Sequence, residues 1–170
     1  MRPRLLLVLL GLAAPACGGT EARGGELTVE WLGADTGGLS AKPVAQWCAG
    51  DTALKITATK GEAGVGLLIL PAAEPEIGEY TVFDPLVDST RVRPGMIVGS
   101  RWVDDKTVVA YQSDSGLLTL NREPTGLSGR FTVRMHDLNR ADTVRMTGHF
   151  GGITPGACPG APAAPNAPPQ

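Results

Sequence analysis

Two histidines, three cysteines and two acidic loops carry the side chains of this 170-residue sequence whose types suit chemistry. His136 and His149 are the only histidines, so a multi-histidine metal centre is excluded; a zinc site needs three or four suitably spaced ligands. His136 precedes Asp137, but neighbours on a strand point to opposite faces. That pair reads as a solvent-facing His before a turn-starting Asp. No Gly-x-Ser-x-Gly elbow is present. Glycan hydrolysis needs two carboxylates flanking a cleft. Glu74, Glu76 and Glu79 lie in one loop with Pro71 and Pro75, Asp84 and Asp88 in the next, and sequence alone leaves their convergence open. Calcium wants a denser run of oxygen ligands than Asp84 and Asp88 offer. Gly61 to Gly66 has the glycines of a phosphate loop but stands between two strands, without the helix N-terminus that would hold an anion. No catalytic residue, bound metal or cofactor is expected.

The elements that position these side chains are short strands. Leu27, Val29 and Trp31 alternate with Thr28 and Glu30, and Leu54, Ile56 and Ala58 with Lys55, Thr57 and Thr59, as half-buried strands do. Val65 to Leu70 is apolar on both faces and belongs inside a sheet. Glu79 to Phe83, Met96 to Val103, Thr107 to Ser113 and Gly116 to Leu120 continue the series, separated by turn clusters such as Arg93-Pro94-Gly95, Asp104-Asp105-Lys106 and Asp114-Ser115-Gly116. Phe131, Val133 and Met135, then Val144, Met146 and Phe150, form the apolar face of a closing hairpin. No window after the N-terminus shows the spacing of an amphipathic helix. Eight or nine strands predict one all-β domain over 26–154, an antiparallel β-sandwich that is jelly-roll-like or immunoglobulin-like.

Before this domain, Arg2 and Arg4 precede the apolar run Leu5 to Leu12 and the small residues Ala14-Pro15-Ala16. The run is too short to span a bilayer and has the shape of a signal peptide, 1–16. Small residues followed by Cys17 resemble the bacterial lipoprotein signal, although Ala14 stands where Leu or Val is more usual. The resemblance implies cleavage before Cys17 and acylation of that cysteine; ordinary secretory cleavage after Ala16 is the other option. Gly18, rather than Asp, follows Cys17, which by the same resemblance suits an outer-membrane destination. With Cys17 carrying lipid, Cys48 and Cys158 remain as an even pair in a compartment that permits disulfides. Residues 17–25 read as lipidated cysteine and flexible tether, and 155–170, rich in Pro and Ala, as a disordered tail.

Trp47-Cys48, the run Thr52 to Thr59 before a glycine turn, Asp114-Ser115-Gly116, Gly126 to Phe131 and Gly148 to Phe150 resemble a group of uncharacterised bacterial lipoproteins. Those residues mark a fold, so the resemblance implies an envelope β-sandwich and transfers no catalytic residue.

Removing the signal takes two of the 15 basic residues and moves the formal charge from −2 to −4, against nucleic-acid binding. Within this acidic chain Arg130, Arg134, His136, Arg145 and His149 share the outward face of the last hairpin if alternation holds. Such a strip suits anionic envelope material, a phosphorylated glycolipid or an acidic polysaccharide; it also suits a solvated face that discourages edge association. The expectation is a lipid-anchored envelope module that binds or builds, with glycan, glycolipid or protein as partner. The alternative is a carbohydrate-active hydrolase using loop carboxylates.

Overall fold

The computed structural model describes residues 25–71, 76–87, 94–104 and 107–158, and every regular element among them is a strand. In chain order these are β1 (Glu26–Gly33), β2 (Gly37–Ala41), β3 (Val44–Cys48), β4 (Ala53–Lys60), β5 (Ala63–Leu70), β6 (Gly78–Phe83), β7 (Gly95–Asp104), β8 (Thr107–Glu123), β9 (Gly126–Asp137), β10 (Thr143–Ile153) and β11 (Gly156–Ala157). They form one hydrogen-bonded sheet in the order β11-β3-β4-β5-β7-β6-β8-β9-β10-β1-β2, with β7 also paired to β8.

Local sequence explains the hairpins. Lys60 opposes Ala63, so β4 and β5 join through Gly61 and Glu62 alone. Gly61 takes φ +58° at the first turn position, where a side chain is disfavoured. Alternation then sends Leu54, Ile56, Ala58, Val65, Leu67 and Ile69 to one face, where they are buried.

That face is concave. The sheet curls into a half-barrel, and residues distant along it meet inside: Trp31 of β1 stacks on Trp102 of β7 with ring centroids 4.5 Å apart, and Trp102 on Tyr111 of β8 at 5.0 Å. The two sides of the sheet are also joined through the chain, because only Lys42 and Pro43 separate β2 from β3. A single curled sheet therefore stands where two stacked layers, jelly-roll-like or immunoglobulin-like, were expected. The all-β class is as expected.

Glycines set against aromatic rings make the interior close-packed. Phe131 opposes Gly148, Phe150 opposes Gly129 and Trp31 opposes Gly37 across neighbouring strands. A Cβ added to these glycines would fall 2.4, 2.5 and 2.5 Å from the facing ring, so each ring lies over its partner's bare backbone. A smaller cluster of Ala53, Leu70 and Phe83, with Leu68 and Ile97 against it, forms apart from the main core.

β8 departs from the sequence reading. Thr107 to Ser113 and Gly116 to Leu120 were expected as two strands around an Asp-Ser-Gly turn; they are one strand with a β-bulge between Ser113 and Ser115. The first part of β8 pairs with β7 and the second with β6, so the sheet forks at the bulge. β11 lies past the 26–154 limits, and its parallel pairing with β3 draws the described chain on to Cys158.

Candidate functional site

The fork is built around Ser113. Its hydroxyl is fully buried, donates to the carbonyl of Phe83 at the end of β6 (2.9 Å) and accepts from the backbone N–H of Val98 in β7 (3.1 Å). One side chain thus satisfies backbone groups of two strands where the ladder is interrupted. The bulge inserts one extra residue, Asp114. Asp114 Oδ1 lies 2.5 Å from His136 Nδ1, and its Oδ2 lies 3.9 Å from Arg134 Nε. Asp84, just past β6, accepts at Oδ1 from Leu86 N–H (2.8 Å) and from Gln112 Nε2 (3.1 Å). Asp84, Asp114 and His136, all half-buried, have ligand-type atoms within 4.8 Å of one another.

His136 therefore meets the carboxylate of Asp114, not that of adjacent Asp137. Asp137 is buried and caps the following turn, accepting from the N–H groups of Asn139 (2.6 Å) and Arg140 (3.1 Å). Asp114 and Gln112 escaped the sequence reading because Asp-Ser-Gly carries the same local signal whether it ends a strand or bulges within one.

The basic strip is assembled by strand pairing. Arg130 opposes His149, Thr132 opposes Thr147, Arg134 opposes Arg145, and His136 opposes Thr143. The flanking residues Phe131, Val133, Met135, Val144 and Met146 are buried, which leaves the five basic side chains on the convex face. All but His136 are exposed. Beside the strip, an open depression of about 420 Å³ is lined by Thr28, Glu30, Arg130, Thr132, Thr147 and His149. A second, of about 370 Å³, is floored by Gly64, Gly66 and Gly99 and bounded by Gln112 and Leu138.

Cys48 and Cys158 form the disulfide, with Cα atoms 5.0 Å apart, next to the hydrogen bond from Cys158 N–H to Trp47 O. Among the described residues the loop acids form no cluster of three. Glu76 receives the Tyr80 hydroxyl at its carbonyl (2.6 Å), Glu79 is exposed, and Asp84 meets Asp114. Glu74, Asp88, Cys17, the signal, the tether before Gly25 and the tail after Cys158 lie outside the described residues.

Comparison with known proteins finds no matching family, no matching curated protein and no matching solved structure.

Proposed function

We propose that this chain is a lipid-anchored protein of a bacterial envelope, held through Cys17 at the outer membrane, and that its convex face binds anionic envelope material. The observation that carries the binding reading is the cross-strand pairing of two like charges, Arg134 opposite Arg145, with Arg130 and His149 opposite each other on the same face. Like charges directly opposite each other destabilise a sheet. A polyanion lying across β9 and β10 would reverse that sign. Charge is favoured over sugar stacking as the mode of recognition, because the described aromatic rings turn into the core or sit in the small cluster with Phe83. The role is binding rather than catalysis. The curled sheet would serve it as a sandwich does, one wall buried and one presented.

The test is titration of the oxidised full chain, in detergent, with lipopolysaccharide, polygalacturonate and neutral dextran. Binding of a polyanion but not dextran is expected, weakened by added salt because exposed charges are screened, and lost in Arg134→Ser/Arg145→Ser. Equal binding by wild type and the double variant removes the proposal. Anchorage is tested separately: Cys17→Ser should move the protein from the membrane to the soluble fraction, and a chain that remains membrane-bound refutes acylation at Cys17.

A further inference from the structure

We infer that Asp84, Asp114 and His136 form a binding site for one zinc ion at the fork of the sheet. The site shares His136 with the convex basic face, and its test reads zinc, not polyanion, so the two can fail separately. Three protein ligands with a position left for water is the pattern of open zinc sites, and one imidazole nitrogen with two carboxylate oxygens is a donor set that zinc accepts. Calcium takes six to eight oxygens and magnesium an octahedral oxygen shell, so the imidazole selects against both.

The ligands are held by the fold. His136 is on β9, where it opposes Thr143 on one side and Gln112 on the other. Asp114 is turned to the same face by the bulge that Ser113 secures. Asp84 is fixed in the turn after β6 by Leu86 N–H and by Gln112. Gln112 thus orients a ligand as the outer partners of metal sites do. Charge argues in the same direction. Two carboxylates come within 4.8 Å in half-buried positions, and the guanidinium that meets Asp114, Arg134, is 68% exposed and 3.9 Å away. A divalent ion would offset both negative charges at once.

Binding requires a small rearrangement. His136 Nδ1 and Asp114 Oδ1 stand 2.5 Å apart, whereas two ligands each about 2.0–2.2 Å from one zinc lie about 3 Å or more apart. Zinc would take Nδ1 of His136 and an oxygen of Asp114 in place of their contact with each other, and side-chain torsions would open the gap.

Chelator-treated, oxidised full chain should bind one zinc per molecule by calorimetry and gain thermal stability with it. His136→Gln and Asp84→Asn should each weaken binding by about tenfold or more, and Glu62→Gln, in the β4–β5 turn, should leave it unchanged. Cobalt substituted for zinc should give a visible absorption spectrum that disappears in both ligand variants. Asp84 lies outside the strands, so Asp84→Asn keeps the test open if His136→Gln fails to fold. The inference is overturned by absence of saturable zinc binding, or by binding that both ligand variants retain.

Discussion

At the scale of single residues, the fork depends on Ser113. Ser113→Ala leaves the buried N–H of Val98 without its acceptor and the carbonyl of Phe83 without its donor. The expected cost is about 1–3 kcal/mol, seen as a lower midpoint in urea at unchanged slope. The glycines give a sharper contrast. At Gly148 a methyl group would sit 2.4 Å from the buried Phe131 ring, while at Gly66 the nearest atom is 3.8 Å away. Gly148→Ala should therefore lower stability by about 1–3 kcal/mol and Gly66→Ala by far less, a difference that thermal melts of the two variants measure. Inward Phe131 and Phe150 were legible from alternation. Their glycine partners were not, because which residue faces which depends on register, and register is a property of two strands. Asp114 was hidden for the same reason: its bulge exists only relative to β9.

Elements were read most reliably where one strand carries its own pattern. The β9–β10 hairpin and the tight β4–β5 turn stand where alternation and glycine chemistry place them. β11 has no pattern to read, since two small residues in a proline-rich stretch bury nothing, and its pairing with β3 is secured by the disulfide beside it. The bond closes a loop across a sequence separation of 110. Replacing both Cys48 and Cys158 by Ala should cost up to about 5 kcal/mol by the chain-entropy account, and about 2–4 kcal/mol by the usual range for disulfides. Hydrogen exchange should report the loss first at Cys158 N–H, which donates to Trp47. Equal protection there in oxidised protein and double variant would show that β11 holds without the bond.

Across the whole molecule, two buried phenols set the alkaline limit. Burial is the main cause that raises Tyr80 and Tyr111 above 10.0, followed by the nearby charge of Glu76 for Tyr80 and of Asp137 for Tyr111. The unfolded chain gives up these protons first as pH rises, so the stability held by the neutral hydroxyls is complete below about pH 10 and is lost as pH climbs through the raised values. Melting temperature followed from pH 8 upward should fall there, and Tyr111→Phe should flatten part of the fall. The curl of the sheet was beyond sequence reading, because it rests on β1 reaching β10 from the far end of the chain and on one short bend at Pro43. The short edges of the sheet have a consequence for the proposed anchorage at a membrane. A protein tethered to a bilayer meets its own copies at high density in two dimensions, and open sheet edges are where copies zip into fibres. Here the two edge strands of the sheet, β11 and β2, are only two and five residues long, and β2 is followed after Lys42 by Pro43, which donates no backbone hydrogen bond. A neighbouring strand finds too short a template to grow on, so under the proposed anchorage crowding would leave each copy separate.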